Sequence, residues 1–113
     1  KEVLKMTFVI TVRSESRSQI TIETPESLGK TLHSLLMSNN YPVTDHRHVG
    51  KSENPFVLNE PEMKYYSLMT FNLPDNQTIT DVAEFISKEF NGELSTDGED
   101  YVISSKRNNS ALI

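Results

Sequence analysis

The sequence contains no cysteine. Disulfides, CxxC redox motifs, thiolate zinc sites and a cysteine nucleophile are therefore all excluded. A chain without thiols suits the reducing cytoplasm, which is the expected location. No stretch approaches the run of about 18 apolar residues that a membrane helix requires, and the apolar character of the N-terminal segment is broken at Lys5 and Thr7. Neither a spanning helix nor a signal peptide is expected, and Lys1 in first place leaves room for an earlier leader to have been removed. Only four glycines are present, too few for a glycine-rich phosphate loop, and no serine stands in a nucleophile-elbow pattern. Asn76-Gln77-Thr78 and Asn108-Asn109-Ser110 match the glycosylation sequon, as a chain rich in Asn, Ser and Thr does by chance.

What the chain does have is an uneven distribution of charge. The net charge of −5 divides into +2 over residues 1 to 51 and −7 over residues 52 to 113. Between Asp75 and Asp100 stand eight carboxylates (Asp75, Asp81, Glu84, Glu89, Glu93, Asp97, Glu99, Asp100) and a single base, Lys88. Such a segment repels phosphates, so a nucleic-acid surface is not expected there. At 113 residues the chain has the size of one domain, large enough to bury a core without staples.

Hydrophobic periodicity supplies the elements. Leu4, Met6, Phe8, Ile10 and Val12 are apolar at alternate positions, and Ile20 and Ile22 repeat the pattern after a polar turn over Ser14 to Ser18, which predicts a hairpin. Thr24-Pro25-Glu26 reads as N-cap, first-turn proline and a carboxylate at the positive helix end. Leu28, Leu32, Leu35 and Leu36 then form one helical stripe, with a stop at Asn39-Asn40. Residues 41 to 62, interrupted by Pro42, Pro55 and Pro61, read as a long irregular loop, with room for a short strand over Val43 to Val49. Residues 63 to 73 are apolar on both faces, as in an internal strand. Thr78 or Thr80 caps a second helix whose stripe is Val82, Ile86 and Phe90 with Ala83 and Phe85, stopped by Asn91-Gly92. A final hairpin turns at Asp97-Gly98, the preferred pair for a type I′ turn, and Lys106 to Ile113 reads as a frayed tail.

The order β-β-α-(β)-β-α-β-β, with Leu28, Leu32 and Leu36 matched by Val82, Ile86 and Phe90 at a constant offset of 54, hints at two βαβ units. The expected fold is a single-domain α+β two-layer sandwich over residues 1 to 113. It is ferredoxin-like or related, with an antiparallel or mixed sheet and two helices on one face.

Four constellations bear on chemistry. Asp45-His46-Arg47-His48 puts two imidazoles on one side of an extended segment. Such a pair can begin a metal site with His33 and Asp45 or Glu53, or serve with Lys51 as the acid and base of a phosphodiesterase. Short motifs of this kind are more often solvated polar loop. Gly29-Lys30-Thr31 resembles the end of a P-loop, but the first glycine of that motif falls on Thr24 and Pro25 removes a cradle donor. The acidic run reads either as a solvated face or as a surface that steers a basic partner. The loop from Tyr41 to Glu62 carries apolar groups, Phe56 among them, that pack or await a partner.

The favoured function is a non-enzymatic protein-interaction module, of the inhibitor or immunity type, docking a basic partner through Asp81, Glu84, Glu89, Asp97, Glu99, Asp100 and Phe56. The alternatives are a small histidine-dependent hydrolase or metal protein using His46, His48 and Lys51, and a structural subunit of a larger assembly. No cofactor, resident metal, nucleic acid or membrane partner is expected.

Overall fold

The computed structural model describes residues 8–50 and 65–106. The elements follow in the order β1 (Val9–Ser14), β2 (Gln19–Pro25), α1 (Glu26–Ser38), β3 (Val43–Gly50), β4 (Tyr65–Asn72), α2 (Ile79–Glu89), β5 (Gly92–Thr96) and β6 (Tyr101–Ser105). The strands form one six-stranded sheet in the order β3-β4-β2-β1-β6-β5, and every neighbouring pair is antiparallel. The molecule is thus α+β, as expected. Its sheet has six strands, which the expected ferredoxin-like detail did not provide for.

Alternation in the sequence accounts for the layering. Partner positions Ile10↔Ile103, Val12↔Ile22, Ile22↔Met69 and Ile20↔Phe71 place one row of apolar side chains on a single sheet face. All of them are buried, together with Leu28, Leu32 and Leu36 of α1 and Val82, Ala83 and Ile86 of α2, in one continuous core. Both helices therefore lie on the same face, and each fully buried aliphatic side chain contributes about 1.5–3 kcal/mol. Tyr41 joins the two helical territories by packing on Phe71 of β4 and Phe85 of α2, ring centroids 5.6 Å apart in each case.

Crossover geometry separates the two halves that the offset of 54 suggested were alike. Strands β2 and β3 are both antiparallel to β4, which lies between them, so β2-α1-β3 is a split βαβ unit. The crossover of α2 instead runs from β4 over β2, β1 and β6 to β5. In consequence α1 packs on β4, β3 and β2, whereas α2 packs on β5, β6 and β1.

The two helices also begin differently. Thr78 caps α2 in a full capping box: its Oγ1 accepts from the Asp81 N–H at 3.2 Å while the Asp81 carboxylate accepts from the Thr78 N–H at 2.8 Å. Thr24, expected to cap α1, is instead a strand residue buried against the core. Pro25 is the N-cap, not a first-turn residue, and no side chain caps the helix. The strand pairing continues through Thr24↔Ser67 and Pro25↔Tyr66, which holds Thr24 in the sheet and turns its hydroxyl away from capping.

The stop after α1 falls at Asn39-Asn40 as expected, and two later turns depart from expectation in detail. At the end of α1, Asn39 is the C-cap and Asn40 takes the left-handed conformation, φ 68°. At the end of α2 it is Asn91, φ 53°, that does so; Gly92 already belongs to β5. The β5–β6 turn is not type I′, because Thr96 pairs with Tyr101 and leaves a four-residue loop. Gly98 alone has positive φ, 103°, and Asp97 Oδ1 accepts from the N–H groups of Glu99 at 2.9 Å and Asp100 at 3.0 Å. These two bonds hold the Asp97 carboxyl below its ordinary value.

The expected long loop is shorter than residues 41 to 62, because Val43–Gly50 forms β3 at the edge of the sheet. Its remainder from residue 51 on, like the tail from 107, lies outside the described residues. No helix among the described residues is long and apolar enough to cross a membrane.

Candidate functional site

A β-bulge decides which residues of β3 face the helices. Val43 pairs with Phe71 but Asp45 pairs with Thr70, so Thr44 is an extra residue, anchored by its Oγ1 donating to Thr70 O at 3.1 Å. Beyond the bulge the half-buried His46 stands opposite Met69 and the exposed His48 opposite Ser67; Met69 and Ser67 are buried on the helix face. Strict alternation would have put Val43 and His46 on opposite faces; the bulge puts them on the same one.

His33 of α1 meets them there. Its Nδ1 lies 2.8 Å from His46 Nδ1, with ring centroids 4.9 Å apart, and the His46 and His48 rings are 5.2 Å apart. Glu26, two helical turns before His33, reaches His48 Nδ1 with Oε2 at 3.3 Å, and Ser67 Oγ lies 3.4 Å from the same nitrogen. Helix and sheet come this close because Gly29 has no side chain. A Cβ there would overlap Ser67 Oγ, lie 2.9 Å from Ser67 Cβ and come within 3.4 Å of His46 Nε2. Gly29-Lys30-Thr31 is therefore ordinary helix interior, where Gly29 provides close packing instead of a phosphate loop.

The polar atoms under this contact are incompletely paired. Thr24 Oγ1 and His46 Nε2 are both buried without a hydrogen-bond partner among the described residues. Burial lowers the affinity of His46 for a proton, the nearby His33 and His48 lower it further, and Asp45 opposes them. As chemistry the group is limited. Glu26 and Ser67 converge on one nitrogen of His48, so this is not a relay in which carboxylate and nucleophile occupy opposite ring nitrogens. Ser67 is fully buried besides. Among the described residues no group of three or more His, Asp or Glu is arranged to hold a metal ion. His46 and His48 are thus brought together with His33, while Lys51 and Glu53 lie outside the described residues.

The carboxylates lie at the opposite end, on α2, β5 and the β5–β6 turn. Three of them do structural work: Asp81 completes the capping box, Asp97 closes the turn, and Asp100 accepts from Arg13 Nε at 3.1 Å. Arg13 also pairs with Glu23 at 3.2 Å. Glu84, Glu89 and Glu99 are exposed and make no side-chain bond with a described residue. Phe56 lies outside the described residues.

No family model, curated protein or solved structure compared with this chain matches it.

Glu26, Gly29 and Ser67 were not singled out from the sequence as site residues. The spacing of Glu26, Gly29 and His33 at i, i+3 and i+7 does place them on one helix face next to the leucine stripe. Which strand that face meets is a property of the topology.

Proposed function

We propose that this chain is a non-enzymatic protein-interaction module that docks a basic partner through its α2–β5–β6 end. The observation that supports this reading is spatial. The eight carboxylates accompanied by one base between Asp75 and Asp100 fall on or beside α2, β5 and β6, which pack chiefly with one another and with β1, whereas α1 packs chiefly on β4, β3 and β2. Like-signed charge gathered at one end steers a complementary surface and raises the association rate. Asp81, Asp97 and Asp100 shape that end, which leaves Asp75, Glu84, Glu89, Glu93 and Glu99 exposed to contact a partner. An inhibitor or immunity-type protein is the form this module takes in our reading, with blocking of the partner as the outcome of docking.

The test begins with a partner recovered by pull-down from the native host and verified as a direct binder. Glu84→Lys, Glu89→Lys and Glu99→Lys together should slow its association and flatten the dependence of that rate on salt. His46→Ala with His48→Ala should leave the association rate unchanged. An association rate indifferent to the three reversals at low salt would reduce the acidic end to a solvated face and remove this reading.

A further inference from the structure

The contact between α1 and β3 carries a proton requirement. Two imidazole nitrogens 2.8 Å apart, His33 Nδ1 and His46 Nδ1, need one N–H and one lone pair between them. His46 Nε2 is buried and has no partner among the described residues, and it faces α1 at Gly29. A proton on that nitrogen would be a buried donor without an acceptor, which is more costly than a buried lone pair. The arrangement that strands no donor has neutral His46 donating through Nδ1–H to the Nδ1 lone pair of neutral His33, whose own proton sits on Nε2.

Acid breaks this arrangement in either order. A proton taken up by His46 goes to Nε2 and makes a cation whose new donor is buried against the helix. A proton taken up by His33 goes to Nδ1, where two N–H groups would meet head on unless His46 moves its own proton to Nε2. With both protonated, two like charges share a ring separation of 4.9 Å.

The described neighbours do little to compensate. On α1, Glu26 is directed to His48 and Lys30 lies one turn before His33. On β3, Asp45 and Arg47 pair with each other at 3.0 Å and stand on the opposite sheet face, and His48 adds a third imidazole. Strand β4 presents Ser67 and Met69 opposite His48 and His46, with Tyr65 opposite Gly50, and β2 presents Thr24 beside Ser67.

We propose that the His33–His46 pair is an acid-released latch that holds the β3 edge strand against α1 near neutral pH and frees it as the pH falls through the histidine range. Among the described strands β3 pairs on one side only, with β4, so its release uncovers Thr24 of β2 and Ser67 of β4 beneath α1 and loosens one edge of the sheet. The device is separate from the acidic end and does not depend on it. The lowered proton affinity of His46 agrees in sign. A histidine that binds its proton less readily folded than unfolded is without effect above the unfolded value of about 6.5, destabilises as the pH falls through that value, and levels off below the folded one.

Amide hydrogen exchange between pH 7.5 and 5, corrected for intrinsic rates and run with EDTA beside an EDTA-free control at pH 7.5, tests this. The amides of β3 from 46 to 49 that pair with β4 should lose protection as the pH falls, while β1 and β6 keep theirs. Ring-nitrogen NMR of the unmodified protein at pH 7.5 should show His46 as the Nδ1–H tautomer. In His46→Leu, and in the half-exposed His33→Ala should the first fail to fold, the pH response of β3 should disappear; in His48→Ala it should persist. The proposal is overturned if the response survives in the first two variants, if His48→Ala abolishes it, if His46 is the Nε2–H tautomer at neutral pH, or if EDTA alone frees β3 at pH 7.5, which would mean that a metal ion holds the contact.

Discussion

The α1 half and the α2 half bury the same kind of apolar stripe, yet they are held in place by different means. Helix α2 is specified locally, with a capping box at Thr78 and Asp81, Lys88 in its last turn and Asn91 turning the chain out. Helix α1 has no side-chain cap and no base in its last turn. Its seat is defined by where it touches the sheet, through Gly29 on Ser67 and His33 on His46. Polar chemistry follows the same division. Buried, incompletely paired groups lie under α1, whereas the α2 end carries solvated carboxylates. A helix with strong local signals can bear surface charge freely, while one without them must settle its polar contacts by close packing.

The largest effects should come from the shared core and should not respect the division. Leu32→Ala and Ile86→Ala each remove a fully buried side chain and should cost about 2–5 kcal/mol in denaturant midpoints at unchanged slope. If Leu32→Ala abolished exchange protection in α1 and β3 while leaving β1 and β6 protected, the halves would be separate folding units and the single core would be wrong.

Gly29→Ala sharpens the contrast, since its Cβ would overlap Ser67. The expected loss is about 1–3 kcal/mol from overpacking. In a Ser67→Gly background that loss should shrink, because the side chain it collides with is gone; an additive double-mutant cycle would break the argument.

The two threonines that resemble caps should respond with opposite signs. Thr78→Ala removes a genuine cap and should cost about 1 kcal/mol. Thr24→Val replaces a buried hydroxyl that has no partner among the described residues by a methyl of similar shape, and should stabilise by about 1 kcal/mol. Equal destabilisation of both by thermal unfolding would mean that Thr24 caps α1 after all.

Smallest of all should be the effect of the acidic surface on folding. Glu84→Lys and Glu89→Lys alter exposed positions and should each shift stability by no more than about 0.5 kcal/mol. A larger loss would show that these carboxylates hold the fold and are not available to a partner.

The elements were legible in the sequence because their signals are local. Alternation at Ile10, Val12, Ile20 and Ile22, leucines one turn apart at 28, 32 and 36, and a threonine three residues before Asp81 state which residues prefer strand, helix and cap, and those preferences survived folding. The charge asymmetry was legible for the same reason, being a property of composition. Left undetermined was everything that depends on which elements become neighbours. Thr24-Pro25-Glu26 has the composition of a helix start, but continued pairing of β2 with β4 kept Thr24 in the sheet. His46 and His48 were visible as a pair, yet only the bulge at Thr44 and the split crossover of α1 brought His33 to them. Side-chain periodicity records preference along the chain, whereas register, bulges and crossovers are set by long-range contacts whose free energy appears only when the core closes.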